Sequence, residues 1–269
     1  MRLALAVVVS TGCAQLIHIP GYTGSDGNAD DEDAGVSMAD GKVAPSAYAT
    51  AVLMDSPIGW YHLDDTDTNT ALDAVNTTSP GTYKGEVTLG KPGAFTDSGT
   101  SVNFAGSDAG IDLGSNFDFL GRDAFTLEAW IRPTNFDGQY HDLGSRWHQP
   151  IGQSGYVWYQ IGSDVGFERD VAGSGDNAGA DNVFTLNQWS YVVATYDGTT
   201  MTIYVDGAVQ GSTTSSRSLL EVTLSTMIGA ANGSPTATPF NGDIDEYAIY
   251  DHALALDRIV AHFSAATGD

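Results

Sequence analysis

The side chains best suited to chemistry fall in two stretches. Between Thr134 and Tyr156 the chain carries Phe136, Tyr140, His141, Arg146, Trp147, His148 and Gln149 among glycines. Trp158 and Tyr159 follow at its exit. Flat aromatic faces stack on sugar rings, and a nearby Arg or His supplies directed hydrogen bonds. Tyr140, Arg146, Trp147, His148 and Trp158 are therefore the expected ligand-binding residues. Trp147 and Trp158 could equally serve packing, because tryptophan is usually largely buried. His141 and His148 share this segment, read as a loop, without the ligand pattern of a zinc site. The second stretch is Asp243-Ile244-Asp245-Glu246. A two-residue period places Asp243 and Asp245 on one strand face and Glu246 on the other. A retaining glycosidase needs two carboxyls about 5 Å apart across a cleft. Glu128 has only Thr126 and Trp130 as same-face neighbours. No catalytic residue is assigned, and an enzyme is not expected.

The elements that must position these residues are strands. From Tyr48 on, short runs of Val, Ile, Thr, Tyr, Phe and Trp alternate with Gly, Asp, Asn and Ser turns, the pattern of a sandwich. In Phe125–Arg132 the residues Phe125, Leu127, Ala129 and Ile131 share one face, and Pro133 stops the run. Trp189–Tyr196, Met201–Val205 and Ala208–Gln210 form a meander joined by Asp197-Gly198 and Asp206-Gly207, strong hairpin signals. One helix is expected near the end, where Leu256, Ile259, Val260 and Phe263 make a single apolar stripe. The fold class is all-β: a two-sheet antiparallel β-sandwich with one short C-terminal helix.

Composition narrows the partners. Ten Lys and Arg against 34 Asp and Glu give a formal charge of −24. Such a chain repels phosphate backbones and anionic headgroups, which excludes nucleic acid as a partner. The acidity fits solubility in an extracellular medium, or calcium binding by some of the carboxylates. Cys13 is the single cysteine, so no disulfide within the chain and no cysteine metal site can form.

Arg2, the apolar run Leu3–Val9 and Ser10-Thr11-Gly12-Cys13 resemble a lipoprotein signal peptide, with Cys13 as the lipidated residue. The Leu3–Val9 run is too short to span a bilayer. The acidic segment through Asp30-Asp31-Glu32-Asp33 reads as an extended, solvated tether. The expected organisation is a signal peptide over 1–12, a tether over 13–47 and a folded domain over 48–269. The expected location is the cell envelope, as a bacterial outer-membrane lipoprotein whose only membrane contact is the lipid on Cys13.

Four stretches carry a further resemblance. They are Trp60–Asp65 with Ala71–Ala74 and Gly81–Tyr83, then Phe125–Pro133, then Trp189–Gly207, then Phe240–Tyr250 with the terminal helix. In this order they resemble the laminin-G-like jelly-roll domains of the concanavalin A-like lectin/glucanase fold. The resemblance implies two six- or seven-stranded sheets, with the N-terminal strand near the C-terminal one. It also implies a structural calcium ion, with Asp245, Asp64 and Asp73 at the matching positions. The fold hosts lectins, adhesion modules and glycosidases alike. The expected function is a non-catalytic extracellular module that binds glycan. A surface adhesion protein that binds another protein is the alternative, and a glycoside hydrolase stands third.

Overall fold

The computed structural model describes residues 45–105, 108–147, 154–230 and 239–268. The expected signal peptide, Cys13, the tether up to residue 44 and His148 lie outside the described residues.

Two antiparallel sheets of eight strands each face one another. Sheet A runs β14 (Ala208–Thr214), β13 (Thr200–Val205), β12 (Ser190–Tyr196), β7 (Phe125–Pro133), β16 (Gly242–Tyr250), β5 (Thr100–Phe104), β4 (Val87–Pro92). β1 (Gly59–Tyr61) also pairs with β16 in this sheet, so the two ends of the domain meet, as the resemblance implied. Sheet B runs β11 (Ser174–Ala180), β10 (Asp164–Val171), β9 (Ser154–Ile161), β8 (Tyr140–Arg146), β15 (Met227–Ile228), β6 (Gly110–Asp112), β3 (Gly81–Lys84), β2 (Thr70–Ala71). Each sheet exceeds the six or seven strands implied by the resemblance, because the short strands β1, β2 and β15 add to its edges and seams.

Alternation along the strands builds the core. Phe125, Leu127, Ala129 and Ile131 point between the sheets, where they meet Phe104, Trp158, Phe167, Val192 and Ile244. Removing such apolar area from water is the main stabilising term, about 25 cal/mol per Å². Both Asp-Gly turns sit between the expected strands, and Asp206 and Gly207 take φ of 51° and 77°, as a tight hairpin requires.

The outer face of sheet A is covered by two helices. α2 (Leu256–Thr267) is the expected one, and Gly268 ends it in the left-handed region. α1 (Ala47–Met54) was not expected. Its sequence AYATAVLM is apolar almost throughout, so no stripe stands out, but Ser46 caps it by accepting from the Ala49 amide. Tyr48 and Val52 of α1 pack with Trp130, Tyr191, Tyr250 and Ile259 in a second cluster. No helix of the described residues is long and apolar enough to cross a membrane.

Sequence reasoning placed Tyr140 to Arg146 in a loop, and the structure makes them strand β8. The run Tyr-His-Asp-Leu-Gly-Ser-Arg has few β-formers. Pairing with β9 on one side and β15 on the other holds it extended.

Candidate functional site

Among the described residues both helices pack on sheet A, which leaves the outer face of sheet B without a helix over it. Directly paired residues share a face. Trp158, Phe167 and Ala178 pair across β9, β10 and β11 and point into the core. The next pairs therefore point outward: Tyr159, Gly166 and Gly179 in one row, then Val157, Glu168 and Asn177, then Gly155, Asp170 and Gly175. Asp142 of β8 joins the first row through Tyr159.

Glycine shapes this surface. A Cβ at Gly166 would collide with the Tyr159 ring, and one at Gly175 with the Glu168 carboxyl. Those two side chains therefore lie flat along the sheet instead of standing on it. The Tyr159 hydroxyl is engaged by the Asn177 side-chain amide. Tyr140 meets the Tyr159 ring edge-on at 5.0 Å and 62°, and is itself 57% exposed. The result is one exposed ring, Tyr140, standing against the largely buried Tyr159.

The carboxyls of this face are unusual. Asp142 is buried, and burial pushes its carboxyl up to about 7. Burial also raises Glu168, and the neighbouring Asp170 raises it further, against the pull of Arg217. Asp170 accepts from the Gly173 amide at 2.9 Å. Perturbed carboxyls beside the exposed Tyr140 ring make this face the candidate site.

The expected ligand residues scatter around this face. Tyr140 lies on it. Trp158 does not: its ring is fully buried between the sheets, 6.1 Å from that of Tyr247, where no ligand can reach it. Arg146 is buried at the far end of β8. Its guanidinium donates to Asp118 at 3.0 Å and to the Val222 carbonyl at 3.1 Å, beside a cavity of about 550 Å³ that Ser115 and Glu221 also line. Trp147 is half-buried next to it, with its Nε1 lacking any acceptor among the described residues. His141 is buried, with Nδ1 against the Pro239 carbonyl and Nε2 against Asp137.

Sequence reasoning missed Asp142, Tyr159, Glu168, Asp170 and Asn177 as site residues. One signal was present. Glu168 and Asp170 stand two apart in a run that also holds Val165 and Phe167. Only the strand pairing reveals that the carboxyls share the open face.

The expected calcium positions occupy a separate corner. Asp73 accepts through Oδ1 from the amides of Trp60, Val75 and Asn76. Asp64 is exposed and accepts from the Thr100 amide. Asp245 is fully buried and accepts from the Ala94 amide at 2.8 Å. Glu246 sits in a bulge of β16 at φ 51°, so the simple two-residue alternation fails there. Its carboxylate takes the Trp60 indole N–H at 2.8 Å and faces His62 at 3.0 Å. Burial alone would lower His62, but the Glu246 carboxylate overrides it and raises it. Burial and the neighbouring Glu246 hold Asp245 well above the usual carboxylate range. Among the described residues no three His, Cys, Asp or Glu side chains group to hold a metal. Two buried oxygens here nonetheless lack partners, Asp245 Oδ1 and Asp73 Oδ2, and hard anionic oxygen is the ligand calcium prefers.

A family model described as the concanavalin A-like lectin/glucanases superfamily matches residues 105–260. No curated protein matches in sequence. Among solved structures, the chain resembles domain 4 of AbnA, an extracellular GH43 arabinanase from Geobacillus stearothermophilus solved with arabinotriose. The TM-score is 0.60 at 16% identity, over 77% of this chain and 97% of that one. It also resembles the receptor-binding domain of botulinum neurotoxin D, at TM-score 0.55 and 14% identity over 78% of this chain and 52% of that one. The binding domain of Paraclostridial Mosquitocidal Protein 1 follows, at TM-score 0.57 and 14% identity over 79% and 53%. The chain spans about half the length of these toxin domains.

Proposed function

The chain belongs to the concanavalin A-like lectin/glucanases superfamily, and on that premise we propose that it is a binding module whose ligand is a glycan held on the outer face of sheet B. The carrying observation is the exposed ring of Tyr140 set edge-on to Tyr159, beside Asn177 and the carboxyls of Asp142 and Glu168. A sugar offers an apolar face to such a ring and hydroxyls to such side chains. That a similar domain was solved with arabinotriose supports the reading. Calorimetric titration of a panel of oligosaccharides, arabinotriose included, tests it. Binding that Tyr140→Ala weakens by about tenfold, with unchanged melting, is the expected result. No binding by any member of the panel would sink it.

The second reading is an adhesion module for a surface protein. It is favoured by the likeness to toxin domains described as receptor-binding. Capture of a defined envelope protein that Tyr140→Ala leaves intact would select it.

Two further parts of the proposal concern setting. Calcium would be held through the unpartnered oxygens of Asp245 and Asp73, which fit a hard cation in chemistry. Cys13 would carry a lipid that fixes the module to the outer membrane. Radiolabelled palmitate incorporated by the native chain and not by Cys13→Ser is the expected result.

A further inference from the structure

Residues 113–121, after β6, and 219–226, before β15, are joined to one another at both ends. Leu113 donates to the Thr226 carbonyl and Thr226 to that of Gly114, each at 2.8 Å. Gly121 and Leu219 exchange a second pair of backbone bonds, also at 2.8 Å. Between these ends the segments part. The cavity of about 550 Å³ lies there, with Ser115 and Asp118 on one wall and Glu221 to Ser225 on the other. A gap fixed at both ends is formed in advance, so a ligand has little chain to order. Arg146 makes its floor. That residue is 3% exposed, and its guanidinium reaches both walls: Nε donates to Asp118 at 3.0 Å and Nη2 to the Val222 carbonyl at 3.1 Å. Nη1 meets the Thr226 hydroxyl only at 3.5 Å. Five N–H groups against these three acceptors leave two without one among the described residues. Because a buried donor left unmet is costly, an oxygen inside the cavity, of water or of a ligand, must meet them.

The rest of the lining selects the ligand. Glu221 is exposed and brings a second carboxylate, Thr223 brings a hydroxyl, and Val222 and Leu224 bring aliphatic surface. A carboxylate or phosphate would suit Arg146 but would meet the negative charge of Asp118 and Glu221. An ammonium would suit Glu221 but would meet the guanidinium. Two neighbouring hydroxyls avoid both conflicts. Their oxygens accept from Arg146, their hydrogens go to Glu221, and the C–H face of the ring that carries them covers the aliphatic wall. We propose that this cavity is a second saccharide site, which takes one neutral sugar residue by a vicinal pair of hydroxyls. It stands apart from the outer face of sheet B and does not depend on it.

The test is an NMR titration of the whole protein, read at assigned backbone amides, with arabinose, glucose, glucuronate, glucosamine and glycerol. Arabinose and glucose are expected to shift Ser115, Asp118 and the amides from Glu221 to Ser225, saturating at about millimolar concentration. Glucuronate and glucosamine, which carry charge, and glycerol, which lacks the ring, should bind about tenfold weaker or not at all. Glu221→Ala, at an exposed position, should weaken both neutral sugars about fivefold with an unchanged melting curve. Arg146→Lys keeps the charge but loses the paired N–H groups, and should abolish the shifts at the cavity. If its melting curve shows that it does not fold, Glu221→Ala decides alone. Shifts at Tyr140 and Tyr159 with none at the cavity overturn the second site and leave the glycan reading on sheet B standing. A charged sugar or glycerol binding as tightly as glucose overturns the neutral-sugar assignment. Unchanged affinity in Glu221→Ala, or no saturable shift at the cavity with any probe, overturns the site. Oligosaccharide binding that Tyr140→Ala weakens would survive each of these results.

Discussion

The imidazole of His262 faces the carboxylate of Glu128 at 3.0 Å, with both side chains wholly buried beneath the two helices. The other nitrogen of His262 lies 2.8 Å from Asp55, just past α1. Tyr48 of α1 and Tyr250 of β16 donate to the same Glu128 carboxylate at 2.9 and 2.8 Å. One buried carboxylate thus joins both helices and two strands of sheet A. With both ring nitrogens facing carboxylates, His262 is an imidazolium, and the pair is a charged one.

Removing one partner of a buried pair leaves the other uncompensated. Glu128→Gln and His262→Ala should each destabilise the domain by about 3–5 kcal/mol, read from denaturant midpoints. Outer-face residues that support no such bond should cost far less. Loss below about 1 kcal/mol would mean that water reaches the site.

The same pair sets a pH window. Burial would raise Glu128, but His262 and the two tyrosine hydroxyls lower it on balance. Its contribution is present above the ordinary value of 4.5 and disappears as pH falls through the lowered one. Burial would lower His262, but Glu128 and Asp55 raise it on balance. Its contribution is full below the ordinary value of 6.5 and disappears as pH rises through the raised one. The stability difference between wild type and His262→Ala should therefore peak between 4.5 and 6.5. A difference that grows steadily to alkaline pH contradicts the assignment.

Asp142 has the opposite sense from an ordinary paired aspartate. Its carboxyl is raised to about 7 by burial, so the folded state favours the protonated form. That stability is present below the ordinary value of 3.8 and is lost as pH rises through about 7. Asp142→Asn should be nearly neutral at acid pH and should stabilise the domain above pH 7, by up to a few kcal/mol in order of magnitude. Thermal melts across that range check it. A variant that is equally destabilised at both ends would show that Asp142 has a partner.

Trp158 separates packing from binding. A buried tryptophan truncated to alanine costs about 3–5 kcal/mol. Trp158→Phe keeps most of the apolar volume and should leave ligand affinity within about twofold while lowering the melting temperature. A large loss of affinity at unchanged stability would restore it to the binding surface.

How far the sequence reached depends on which interactions are local. Phe125 to Ile131 announce their inward face through the two-residue period alone, and Asp206-Gly207 announces its turn through the positive φ that Gly tolerates. The site residues lack such a signal. Glu246 lies in a bulge, where the period that would assign its face is interrupted by one residue. Tyr140 and Asp142 sit in a run of poor β-formers that becomes a strand only because β9 and β15 flank it. Trp158 has the same residue type as a sugar platform, and its period relative to Tyr159 was legible, but which of the two faced the core depended on the sheet opposite. Long-range pairing, which no window of sequence contains, decided each of these.

The calcium proposal makes its own prediction. An ion at Asp245 would oppose the burial that raises that carboxyl. Millimolar calcium should raise the melting temperature, a chelator should reverse the rise, and Asp245→Asn should abolish the response. A melting temperature indifferent to both reagents removes calcium from the proposal.

The central claim, that the outer face of sheet B holds the ligand, is tested most directly by mapping amide hydrogen exchange with and without arabinotriose. Added protection along Tyr140–Asp142, at Tyr159 and through Gly166–Asp170 is the expected result. Protection confined to the Arg146 cavity or to sheet A, or absent altogether, would contradict it.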